Sequence, residues 1–202
     1  MSDVNVGVVD SRFLPACTGH RHRVSRIRPT PLRALVLGVS AGVIGTAAMT
    51  VHHEIAARLQ RTSSSSNDEL PRDQQERDPW ESAPAPAKVG KRLLEGVFHH
   101  QIGPDKIGVV TNAMHWLYGT SWGALYGLIG GTIDVNAALA GPLFGAGVWA
   151  ASYVELVPMG IYEPPWKYPI GTLANDLAYH LTFGTGVATA YAMLERRTSA
   201  TM

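Results

Sequence analysis

The chain has 202 residues, with 17 Lys+Arg against 16 Asp+Glu, 21 Gly and one Cys. Charged residues make up 16% of it, against a usual share of about 25%, and they are unevenly placed: four runs, 34–53, 107–133, 135–154 and 177–194, carry none. One Cys excludes a disulfide scaffold, a net charge of +1 excludes a nucleic-acid binder, and uncharged runs of this length exclude a coiled coil.

Residues 1–33 hold Arg12, Arg21, Arg23, Arg26, Arg28 and Arg33 against two Asp. This predicts a disordered basic tail that stays in the cytoplasm and touches anionic lipid. The run 34–53 follows. About 20 apolar residues at 1.5 Å each cross the hydrocarbon core, and lipid leaves the backbone no partner but its own helix, so 34–53 is read as transmembrane helix 1. It is longer than the roughly 7–15 apolar residues of a cleaved signal, and it is read as retained.

The segment 54–107 is then external. Within it, 60–87 (QRTSSSSNDELPRDQQERDPWESAPAPA) has too little apolar surface to offset ordering entropy, and disorder is expected. About 88–102 reads as an amphipathic helix, with Val89, Leu93, Val97 and Phe98 on one side. It lies either at the outer membrane face or on the rim of the bundle. Transmembrane helices 2, 3 and 4 are expected at 108–133, 135–154 and 173–194. A loop over 155–172 separates the last two, where Pro158, Pro164, Pro165 and Pro169 forbid a regular helix. Tyr162, Trp166 and Tyr168 suit the interfacial aromatic belt and make this loop an external cap. A tail over 195–202, with Arg196 and Arg197, returns to the cytoplasm. No run has the polar stripe of a soluble amphipathic helix. The fold class expected is all-α: a polytopic membrane protein of four transmembrane helices.

An internal match supports this layout. AMHWLYGTSWGALY (113–126) aligns with AYHLTFGTGVATAY (178–191), sharing the pattern A-x-H-x-x-[YF]-G-T-x5-Y. Both proposed units, span–loop–span, have the same orientation, which gives two parallel helix-hairpin repeats. Eleven residues turn a helix only about 20° past three full turns, so His115, Gly119 and Tyr126 share a face, as do His180, Gly184 and Tyr191. Gly119, Gly123, Gly127 and Gly131 form a ladder of small residues; Gly38/Gly42 and Gly141/Gly145 add two pairs. Such residues let helix backbones approach closely in a membrane.

Ionisable groups inside a bilayer cost roughly 2.5–3.5 kcal/mol on insertion scales, so they usually have a purpose or a partner. Asp176 lies one turn from His180, Asn112 three residues before His115, and Glu54 and Glu155 end the first and third spans on the same external side. His52-His53 and His99-His100 are adjacent pairs and point in different directions. Three readings are open. The Asp176, His180 and His115 group ties helices together; or it handles protons or a small cation; or, with His115, His180 and Asp176 as ligands, it holds a metal, although no H-E-x-x-H spacing is present. There is no G-x-S-x-G, P-loop or Rossmann glycine pattern, so neither an enzyme nor a cofactor is expected.

The segment LAGPLFGAGVWAASYVELVPMGIYEPPW, followed by NDLAYHLTFGTG, resembles the YagU-like family of small bacterial inner-membrane proteins. The matching features are the Gly/Ala-rich helix, the Pro158-Met159-Gly160-Ile161 turn with Pro164-Pro165, and His180 near the start of the last span. AGVIGTAAMT resembles that family's opening helix, so the likeness covers about 32–54 and 108–195. The resemblance implies a bacterial inner membrane and four spans. It transfers no catalytic residue, and the Ser- and Pro-rich loop departs from the pattern. The function expected is a membrane protein handling protons or a small cation in the outer half of its bundle. The alternative is an accessory or scaffold subunit. Its partners would be the bilayer and either copies of itself or another membrane protein.

Overall fold

Residues 30–63, 78–130 and 136–200 are described by a computed structural model, in which every regular element among them is helical. The helices are α1 (Pro31–Ser63), α2 (Ala85–Gly96), α3 (Ile107–Gly130), α4 (Ala137–Leu156) and α5 (Ile170–Ala200). Short 3-10 turns at Pro104–Lys106 and Pro165–Lys167 lead into α3 and α5.

Local chemistry sets the helix ends. Thr30 Oγ1 accepts the Arg33 N–H at 3.4 Å just before Pro31, and Asn136 Oδ1 accepts the Ala138 N–H at 3.1 Å at the start of α4. Past α4, Gly160 adopts a φ of +63°, Ile161 N–H bonds Leu156 C=O at 3.0 Å, and Gly160 N–H bonds Val157 C=O at 2.9 Å. That pair of bonds is a Schellman close, and only glycine enters its left-handed position without strain. The Pro169 carbonyl then accepts from Thr172 and Leu173 to open α5.

Glycine fixes the packing. Along the α1–α3 seam each step of four up α1 is met by a step of four back along α3. Gly38 faces Gly127, Gly42 faces Gly123, Thr46 faces Gly119, and Thr50 reaches His115. A β-carbon on Gly42 would stand 3.0 Å from Gly119 O, Thr120 Cα and Gly123 Cα; one on Gly123 would overlap the Gly42 backbone. In the α4–α5 seam, a β-carbon on Gly141 would stand 3.1 Å from Gly184 O, 2.8 Å from Thr185 Cα and 3.2 Å from Ala188 Cβ. Those are the α3 positions of the first seam, each moved on by 65. α1 also crosses α5, where Gly45 meets Phe183, Gly186 and Val187. The core so enclosed is Leu37, Ala41, Val148, Phe183, Val187, Ala190 and Tyr191. Between α3 and α4 the gap is bridged by rings instead, Tyr126 to Phe144 at 4.8 Å and Trp122 to Phe144 at 6.1 Å.

The order of elements matches the expected one, but several bounds differ. α1 runs ten residues past 53, because Glu54 to Gln60 (EIAARLQ) are strong helix formers. Disorder was expected over 60–87, yet 60–63 belong to α1 and 78–87 fold. Trp80, Ala83 and Ala87 are buried against Ile102 and Ile107, and Lys91 lies 4.7 Å over the Trp80 ring. α2 begins and ends earlier than 88–102, and it seats Ala87 and Gly90, the latter on Val110 and Met114 of α3. Leu93, Val97 and Phe98 stay exposed. The expectations for 1–29, for 64–77 and for Gly131 lie outside the described residues.

Two helices, Pro31–Thr62 and Ala137–Leu156, are long and apolar enough to cross a membrane. α3 is 24 residues without a charge, but its Thr, Asn, His and Gly dilute its hydropathy, and α5 is diluted in the same way.

Candidate functional site

The seams change character along their length. Moving up α1 by fours, Gly38 and Gly42 give way to Thr46 and Thr50; moving back along α3, Gly127, Gly123 and Gly119 give way to His115. On α4, Gly141 and Gly145 are followed at the same spacing by Trp149 and Tyr153, and on α5 Gly184 is preceded by His180 and Asp176. The four helices therefore bring small residues together at one end and polar ones at the other.

Asp176 is the centre of the polar end. Its Oδ2 accepts the Trp149 indole N–H at 3.0 Å and the Tyr153 hydroxyl at 3.3 Å, and its Oδ1 lies 3.5 Å from His180 Nδ1. His180 Nδ1 also lies 2.8 Å from the Asp176 carbonyl oxygen. A carbonyl only accepts, so Nδ1 carries the proton and Nε2 keeps its lone pair. The same logic applies twice more. Thr182 donates its hydroxyl to Ala178 C=O, so His52 Nδ1, 2.8 Å away, donates to the Thr182 oxygen. Thr50 donates to Thr46 C=O, so His115 Nε2, at 3.4 Å, donates to Thr50. Each of these imidazoles has one nitrogen committed and one able to take a proton.

Two more rings close the group. Tyr179 packs against His53 at 3.7 Å between centroids and against His52 at 4.8 Å. His53, His115, His180 and Asp176 are near enough to act on one another's charge. From the loop, Tyr162 and Tyr168 pack on Tyr153. Burial pushes the Tyr162 phenol up to about 12, with help from Asp176 and Tyr168, so it stays neutral at physiological pH.

Of the six residues expected to handle a proton or cation, Asp176 and His180 are in contact, and His115 lies within electrostatic reach of His180. The other three do not join them. Glu155 accepts from Tyr118 at 3.0 Å, a separate link between α4 and α3. Asn112 is exposed and donates to Gly108 C=O of its own helix. Glu54 is exposed on α1. The packing residues Gly119, Gly123 and Gly127 face α1, and Gly184 faces α4. Among the described residues no three His, Cys, Asp or Glu side chains converge as metal ligands would. Sequence reasoning missed Trp149, Tyr153, Thr50, Thr182 and Tyr179. The four-residue stripes through Gly38/Gly42 and Gly141/Gly145 would have found Thr50, Trp149 and Tyr153 if extended outward.

No family model, curated protein or solved structure matches this chain.

Proposed function

We propose that the chain is a four-span protein of a bacterial inner membrane, with both termini in the cytoplasm. On this reading its Asp176/His180/His115 group, widened by His52 and His53, binds a proton or small cation in the outer half of the bundle. Likeness to the YagU-like family and the two-unit repeat belong to the same proposal.

The surface supports the membrane setting. Val36, Leu117, Leu143 and Val154 point outward, while the interior seams are glycine and threonine. A soluble monomer rarely exposes so continuous an apolar surface. The paired seams, with Gly42 and Gly141 meeting equivalent partners, support duplication. The observation that carries the binding role is the Asp176–His180 pair, held by Trp149 and Tyr153 beside imidazoles that each keep a basic nitrogen. Binding is favoured over catalysis because the nearby hydroxyls of Thr50 and Thr182 both donate to their own helix carbonyls and face no base as donors.

Proton uptake by the purified protein tests this. Between pH 8 and pH 5 it takes up more protons than a folded His180→Gln/His115→Gln variant. Equal uptake sinks the proposal.

A second reading, an accessory subunit that holds a partner, is favoured by one feature. α2 sits on α3 by Ala87 and Gly90 and leaves Leu93, Val97 and Phe98 uncovered, the last two 63% and 70% exposed. Under that reading Phe98→Asp disrupts the physiological role and leaves proton uptake unchanged.

A further inference from the structure

Resting on the four-span reading above, we infer that the Asp/His cluster exchanges protons with the outer face only. One chain is then a one-sided proton site and not a conduit.

The argument begins beneath the cluster. The lowest polar groups that reach it are Thr50 and Thr46, and Thr46 is 1% exposed, its hydroxyl turned back to Gly42 C=O. Below Thr46 the α1–α3 seam is backbone on backbone. The sites where side chains would stand on Gly42 and Gly38 are taken by Gly119, Gly123 and Gly127. The α1–α5 crossing is shut at the same level by Gly45 against Phe183 and Val187, and the α4–α5 seam by Gly145 and Gly141 against His180, Leu181 and Gly184. Further in come Leu37, Ala41, Ala190 and Tyr191, all buried. From Thr46 to Ala34 this closed stretch is about 18 Å at 1.5 Å per residue, more than half the hydrocarbon thickness. A proton path needs water or a chain of exchangeable groups. Here helix backbones touch along the seams, the rings of Trp122, Tyr126 and Phe144 fill the gap between α3 and α4, and the Tyr191 hydroxyl is spent on Gly127 C=O.

The other side of the cluster is different. Asp176 and His180 keep side-chain exposures of 28% and 13%, and His53 is exposed. The groups facing the pair come from every neighbouring element: His52 and His53 on α1, His115 on α3, Tyr153 on α4, and Tyr162 on the loop. These are imidazoles and neutral phenols, with Glu54 outside and Glu155 tied to Tyr118. The chemistry these groups support is proton exchange between imidazole nitrogens, the Asp176 carboxylate and external water.

The test uses the full chain in liposomes, with orientation fixed by impermeant labelling of a Gly103→Cys variant in a Cys17→Ser background. The readout is the part of the fluorescence lost in Trp149→Phe, since Trp149 donates to Asp176. An acid step applied on the Gly103 side changes that signal, an acid step on the opposite side does not, and proton flux under an imposed potential equals that of empty liposomes. That result upholds the inference. Response to both sides, or flux that His180→Gln or Asp176→Asn removes, overturns one-sidedness and leaves the proton site standing. Silence to both steps, with no flux, overturns the proton site itself.

Discussion

His180 commits Nδ1–H to the Asp176 carbonyl and keeps Nε2 in reserve, and that division decides how substitutions act. His180→Gln can still donate from its amide to that carbonyl, so the protein stays folded, but it has no basic nitrogen. Asp176→Ala acts differently. It leaves the Trp149 N–H and Tyr153 O–H inside the bundle without their acceptor, at about 1–3 kcal/mol each. We therefore expect Asp176→Ala to lower the melting temperature in detergent and Asp176→Asn, which keeps an acceptor oxygen, to lower it much less. Equal losses would show that these bonds do not hold α4 to α5. Tyr162 gives a separate alkaline signature. An unfolded phenol ionises near pH ~10, whereas the folded one holds its proton to about 12. Above the lower value the unfolded chain sheds a proton that the folded chain keeps. Tyr162 thus contributes stability in full below about pH 10, and loses it as pH rises toward 12. Tyr162→Phe should reduce the fall in melting temperature between pH 8 and pH 11; an unchanged fall would place the alkaline sensitivity elsewhere.

At the scale of elements, the seams divide the glycines into those that must stay and those that are free. A β-carbon on Gly123 would overlap Gly42, whereas one on Gly147 of α4 meets nothing within 4 Å. Gly123→Ala should destabilise by about 2 kcal/mol, as overpacking does, and Gly147→Ala should stabilise by about 0.5 kcal/mol by removing unfolded-state freedom. Thermal unfolding of both in one detergent checks the pair, and similar shifts would mean that the seams are not the glue. These stripes were readable in the sequence because small residues at steps of four survive any detail of rotamer. The polar group was readable only in part. Proximity to a span end gives depth and not direction: Glu54 stands one step of four past Thr50 and is exposed. Asn112 is a matter of rotamer, since its amide bends to Gly108 of its own helix. The fold of 78–87 was hidden for another reason. Trp80 docks on Ile102 and Ile107, more than twenty residues on, and local composition carries no trace of that contact.

For the molecule as a whole, the number of helices that cross the membrane is tied to how they pair. Among the described residues α1 and α4 alone pass as spans by length and composition. Yet α3 is bonded to α1 along its glycine seam, and α5 to α4 along the other, so each less apolar helix lies antiparallel against a more apolar one. Hairpins of this kind bury their small and polar faces on the partner and turn Leu117, Leu125 and Leu128 of α3 and Met193 of α5 outward. On the four-span reading such pairs cross together, each helix covering the small and polar face of its partner. The two topologies differ at Asp134, between α3 and α4, and at Glu163, between α4 and α5. With four spans and an internal N-terminus, Asp134 is cytoplasmic and Glu163 external; with only α1 and α4 crossing, the two are exchanged. In a Cys17→Ser background, Asp134→Cys should resist an impermeant thiol reagent in intact cells and react after permeabilisation, while Glu163→Cys should react at once. The reverse pattern would leave two spans, and would put the Asp176/His180 group on the cytoplasmic side, outside the bilayer.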